Sequence, residues 1–95
     1  MTIGDICEFK LKFENADFWL IRKGSEDMVG KPVNEYSPEH IGVKIINTDV
    51  IDKKYLYYVF MFLHQNGSFK RISNGILNLK HIKISDIKEI PVSVK

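Results

Sequence analysis

Disulfide bridges are excluded first, because Cys7 is the one cysteine in 95 residues. Proline is scarce, at 3 positions, and there is no low-complexity tract, internal repeat or linker, so residues 1–95 read as a single module. No stretch approaches the roughly 20 apolar residues of a membrane span. Met1 to Glu8 has neither the basic flank nor the hydrophobic run of a secretion signal. A cytoplasmic location is expected, which makes Asn66-Gly67-Ser68 an accidental glycosylation sequon. With 44% hydrophobic and 27% charged residues, the chain is too apolar to stay disordered.

Catalytic constellations are missing as well. His40, His64 and His81 lie far apart, beside no cysteine or carboxylate at metal-ligand spacing. Ser25, Ser68 and Ser73 lack a nucleophile-elbow context, and no two carboxylates are marked as an acid and base pair. Gly24 to Pro32 is superficially similar to a phosphate-binding loop. However, five residues separate Gly24 from Gly30 where that loop needs four, and Pro32 stands where a hydroxyl would hold magnesium. No enzyme activity, cofactor or metal is therefore expected. Cys7 reads as a small buried hydrophobe rather than a reactive thiol.

What is present is a set of short periodic segments. Cys7, Phe9, Leu11 and Phe13 alternate with Glu8, Lys10 and Lys12, the period of a half-buried strand. Glu14 to Asp17 reads as a turn and Phe18 to Lys23 as a second strand, able to form a hairpin with the first. Gly24 to His40 reads as loop, apart from an extended piece at Gly30 to Val33, and Ile41 to Ile46 as a third strand. Lys53 to Gln65 reads as a helix, capped by Thr48 or Asp52 and stopped by Asn66-Gly67. Leu56, Val59, Phe60 and Leu63 share one face of it. Tyr55, Tyr57, Tyr58, Met61 and Phe62 fill enough of the rest to predict cover on more than one side.

Beyond the helix, Phe69 to Ser73 is short and basic, and Asn74-Gly75 marks a tight turn. Ile76 to Ile84 is predicted extended, with Ser85 capping a helical turn over Asp86 to Glu89 and Pro91 to Val94 as an edge strand. The expected fold class is α/β in the α+β sense: a small mixed or antiparallel sheet packed around one central helix.

Charge is uneven along the chain. The formal total is only +2, but Met1 to Leu63 holds 8 Lys or Arg against 10 Asp or Glu, and His64 to Lys95 holds 6 against 2. Phosphates attract Lys and Arg, and base edges are read by side chains presenting donors and acceptors. Lys70, Arg71, Ser73, Asn74, Asn78, Lys80 and His81 supply both kinds in one stretch; Arg22, Lys23, Ser25 and Lys31 supply a second group at the glycine loop. Plainer readings stand beside these. Lys80 and Lys83 fit the wet face of an alternating strand, Lys70 and Arg71 can serve a helix carbonyl end, and Arg22-Lys23 can be a solvated pair. Tyr55, Tyr57 and Tyr58 fit core or structural positions as readily as base stacking.

Several motifs in order resemble the target-recognition domain of a type I restriction-modification specificity subunit. They are KYLYY at Lys54 to Tyr58, SNG at Ser73 to Gly75, LKHI at Leu79 to Ile82, and SDIKEIPV at Ser85 to Val92. Upstream, IGDI at Ile3 to Ile6 and DFWLIRKGS at Asp17 to Ser25, followed by VGK at Val29 to Lys31, resemble that family's opening motif, strand and loop. The resemblance implies a compact recognition-domain fold that binds double-stranded DNA sequence-specifically and without catalysis. It also implies a shortened, stand-alone form, since such domains run to roughly 150 residues, near the usual domain size, and are followed by a helical spacer that binds methyltransferase subunits.

The alternative is an inhibitor or decoy that keeps the fold to engage a restriction, methylation or replication protein. A composition rich in Lys, Ile and Asn suits a phage or mobile element in a bacterial host cell.

Overall fold

A computed structural model describes residues 1–46, 49 and 51–91. Its main sheet is built on Ile41–Ile45 (β5), whose side chains are buried apart from the half-buried Lys44. A strand with apolar groups at nearly every position needs cover on both edges and both faces, and β5 has a partner on each edge. Cys7–Leu11 (β1) pairs with it antiparallel from Cys7↔Ile45 to Leu11↔Ile41, and Phe18–Leu20 (β2) pairs on its other side through Phe18↔Val43. Pro32–Val33 (β4) completes the order β1-β5-β2-β4. The hairpin expected between the first two strands is therefore not formed; β5 lies between them. The first strand also stops at Leu11, because Lys12 takes a left-handed φ of 55° that swings the chain so that the Phe13 carbonyl accepts from buried Trp19 Nε1 at 2.9 Å.

The expected strand from Phe18 to Lys23 is divided between two sheets. After β2, Ile21 exchanges hydrogen bonds with the loop, its N–H donating to the Lys31 carbonyl and its carbonyl accepting from Gly30. Lys23–Gly24 (β3) then joins Asn74–Ile76 (β6) and Leu79–His81 (β7) in a second antiparallel sheet of order β3-β7-β6. The segment predicted extended from Ile76 to Ile84 thus turns back on itself at Leu77 and Asn78.

Lys53–Gln65 (α1) begins after Asp52 and ends at Asn66, where the sequence places its limits, but the Asp52 side chain makes no capping hydrogen bond and only its carbonyl accepts, from Leu56; Thr48 lies outside the described residues. Leu56 and Phe60 are fully buried, and Tyr57, Val59 and Leu63 pack against the core. The ring of Phe60 lies 5.5 Å from Phe18, 6.3 Å from Phe9 and 5.8 Å from Phe69. The expectation of cover on several sides is overturned. Tyr55, Tyr58 and Phe62 are each about 60% exposed, so α1 buries one face only. Tyr57 is structural, its ring 5.4 Å from Phe18 and its hydroxyl donating to the Pro32 carbonyl.

The short basic stretch after Gly67 is a second helix, Ser68–Ile72 (α2), which exists to bury Phe69. Phe69 seats directly on Gly30, where φ is +85° and a Cβ would lie 2.3 Å from the ring. Glycine is required there twice over, by backbone conformation and by close approach. The last helix, Ile84–Lys88 (α3), starts one residue before Ser85. Lys83 holds the cap position, its carbonyl accepting from Asp86 and Ile87. Ile3 N–H donates to the Ile90 carbonyl, and Thr2 bridges Pro91, so the two ends of the described chain meet. Of the expected edge strand at Pro91 to Val94, residues 92–94 lie outside the described residues. The α+β class stands, with two antiparallel sheets rather than one. Among the described residues no helix is long and apolar enough to cross a membrane.

Candidate nucleic-acid interface

The second sheet gathers residues from both sequence groups. His81 on β7 stands between Lys23 on β3 and Asn74 on β6. Directly opposed residues send their side chains to the same face, so a cation, an imidazole and an amide form one row across the three strands. Two residues along β7, Leu79 continues that face beside Ile76. The opposite face carries Lys80, paired with Gly24 on one side and Gly75 on the other. No cross-strand side chain stands over Lys80 in this row. Gly75 has a φ of +106°, and a Cβ there would lie 2.3 Å from the Leu79 carbonyl oxygen, so the bare strip beside Lys80 is fixed by the hairpin itself. Lys23, Gly24, Leu79, Lys80 and His81 line a shallow cleft of about 280 Å³. Asn78 is exposed at the hairpin turn.

The other predicted residues lie elsewhere or are already engaged. Lys70 is on α2, its Nζ 3.0 Å from Glu26 and 3.9 Å from Asp27 of the glycine loop, and the hydrogen bond to Glu26 raises its pKa. Arg71 donates to the Asn66 carbonyl at the end of α1 and to Ser68 Oγ, which is the helix-end role considered from sequence. Ser73 Oγ donates to the Lys70 carbonyl at 2.7 Å. Within the row itself, Asn74 Nδ2 makes one long contact, 3.5 Å to the Ile72 carbonyl. Arg22 donates from Nε to the Glu39 carbonyl at 3.2 Å, drawn toward the turn at Ser37 to His40. Lys31 is half-buried and lines a separate cleft with Tyr36, His40 and Tyr57. The Ser25 carbonyl closes the glycine loop by accepting from Met28 and Val29.

Sequence reasoning missed two features. The acidic residues of the glycine loop neutralise Lys70, and the loop is held against α1 by His64, whose Nε2 lies 2.7 Å from the Asp27 carbonyl. The second feature is the apolar hairpin tip. Ile76, Leu77 and Leu79 are 71%, 64% and 70% exposed, at the turn of a segment that the sequence reads as continuously extended. The two-residue spacing between Ile76 and Leu79 was the available signal for a tight turn there.

Cys7 is buried, and burial, with the Asp17 carboxylate adding to it, pushes its thiol up to about 12. Among the described residues, no group of three His, Cys, Asp or Glu is placed to hold a metal ion.

No family model and no curated protein matches the chain. Among solved structures, the S subunit of a type I restriction-modification system from M. genitalium matches with a TM-score of 0.69 over 95% of this chain, at 14% sequence identity. The chain spans 32% of that protein. The likeness is one of fold, in agreement with the resemblance read from the sequence motifs.

Proposed function

We propose that this chain is a single, non-catalytic module that recognises double-stranded DNA sequence-specifically, in the manner of a type I specificity-subunit recognition domain. The observation that carries the reading is the row formed by Lys23, His81 and Asn74, with Lys80 on the reverse of the same sheet. Lys23, a cation suited to phosphate, and the Asn74 amide, suited to base edges, thereby share one face of the sheet, and Lys80 stands on the other. Residues 69–83 contain no Asp or Glu, so the hairpin offers a duplex no like-charge repulsion of its own. The fold shared with an S subunit supports the same reading, and extends it to assembly with restriction-modification partners. Lys23, Asn74, Asn78, Lys80 and His81 form the interface; Ser25 and Ser73 border it, and Arg22, Lys31, Lys70 and Arg71 are secondary. Selection from a random duplex library with the purified protein tests this, an enriched site with salt-sensitive affinity being expected. Failure to retain any duplex at low salt contradicts it.

A second reading, a protein-interaction module acting as inhibitor or decoy on a restriction, methylation or replication protein, has one observation in its favour. Tyr55, Tyr58 and Phe62 form an exposed stripe at helical spacing on α1. Recovery of a stable partner from the host that is lost with Tyr58→Ser and Phe62→Ser, with no enrichment of DNA, would favour it.

A further inference from the structure

The β6–β7 ribbon ends in an apolar tip, which phosphate-binding chemistry alone does not require. Ile76 and Leu79 are directly opposed on the two strands, and Leu77 begins the turn between them. All three are mostly exposed, in a segment otherwise made of Asn, Gly, Lys and His. Exposed aliphatic groups of this size cost solubility unless something covers them.

Charge decides among possible covers. The ribbon carries Lys80, with Lys23 alongside on β3, and no acidic residue lies between residues 69 and 83. Glu26 approaches the tip, its N–H donating to the Leu77 carbonyl at 3.1 Å, but its carboxylate is paired with Lys70. Asp27, the next residue of that loop, lies 3.9 Å from the same Lys70 Nζ on α2. The ribbon itself, with Lys80 and the adjoining Lys23 and no acid of its own, is net positive and complementary to a polyanion.

A two-stranded ribbon fits the major groove of B-form DNA, where the one strongly apolar feature on a base edge is the C5-methyl group of thymine. We propose that the β6–β7 ribbon enters the major groove and that Ile76 and Leu79 cover thymine methyl groups. Asn74, on the same face, is placed for the donor and acceptor edge of a neighbouring adenine, and Lys23 for the flanking phosphate. The inference rests on the DNA-binding reading, and it adds that the preferred site contains thymine within reach of the tip. Sequence preference then comes from apolar contact as much as from hydrogen bonds.

Deoxyuridine isolates this contact. It removes the methyl group and leaves base pairing and the minor groove unchanged. Binding of the whole protein to its selected duplex is measured by fluorescence anisotropy, with each thymine in turn replaced by deoxyuridine. At one or two positions the affinity falls about fourfold for each methyl withdrawn from contact. A variant carrying Ile76→Ser and Leu79→Ser binds the two duplexes equally at those positions, whereas Lys80→Ala loses affinity for both and keeps the discrimination. Equal binding of thymine and deoxyuridine duplexes at every position overturns the methyl contact while leaving the DNA-binding reading intact. Absence of binding to any duplex overturns both. Sedimentation provides a separate outcome: self-association of the native chain that Leu79→Ser abolishes, with DNA affinity unchanged, assigns the tip to a contact between copies and overturns the proposal.

Discussion

Lys70 Nζ stands 3.0 Å from the Glu26 carboxylate, so a residue that the sequence marks for phosphate is the counterion of the glycine loop. Lys80, flanked by Gly24 and Gly75, has no such partner opposite it on either neighbouring strand. Alanine at the two positions should therefore act unequally. Lys80→Ala should weaken duplex binding across sequences and lower the slope of log affinity against log salt by about 1. Lys70→Ala should change either quantity much less. Glu26→Gln should free the ammonium and raise low-salt affinity. Anisotropy titrations at several salt concentrations distinguish these outcomes.

Phe60 is the contact shared by Phe9, Phe18 and Phe69, and it is fully buried. Phe60→Ala should destabilise the protein by about 3–5 kcal/mol through lost transfer energy and a residual cavity. Tyr58→Ala, on the exposed side of the same helix, should change stability by less than about 0.5 kcal/mol. Urea unfolding monitored by far-UV circular dichroism compares the two.

Much of this core was legible because it is local. The alternation at Cys7 to Phe13 and the spacing of Leu56, Val59, Phe60 and Leu63 specify which side of each element turns inward. Partner choice was not legible. Nothing local tells Phe18 to Lys23 that it will serve two sheets, since the division is made by long-range bonds from Ile21 to the glycine loop and from Arg22 to Ile82. The second helix was hidden because Phe69 is its single buried anchor. At the candidate site, the basic stretch was visible in sequence, but the neutralising role of Glu26 and Asp27 depends on a fold-back across more than 40 residues. A still longer stretch of chain separates Lys23 from its partner His81.

Gly30 and Phe69 are a matched pair. Gly30→Ala places a Cβ into the Phe69 ring at a φ of +85°. It should cost roughly 2–4 kcal/mol from left-handed strain and overpacking together. Combining it with Phe69→Ala should cost less than the sum of the single changes, because the clash is then removed. A double-mutant cycle in urea measures the coupling.

Cys7 gives a pH dependence with a definite sign. Its thiol is raised from 9.0 to about 12, so the folded state holds the proton more tightly than the unfolded chain. The associated stability should be intact below pH 9.0 and lost progressively as pH rises toward about 12. At pH 8 a thiol reagent should label native protein only as fast as the chain opens. Rapid labelling under native conditions would contradict the buried placement.

The central claim, that the β3-β7-β6 sheet binds duplex DNA, is tested most directly by titrating the native chain and the Lys23→Ala, Lys80→Ala double variant against the selected duplex over a range of salt. The native chain should bind with an affinity that falls as salt rises, and the double variant should bind more weakly with a slope shallower by about 2. Equal affinities and slopes for the two proteins, or no binding by the native chain at low salt, would contradict it.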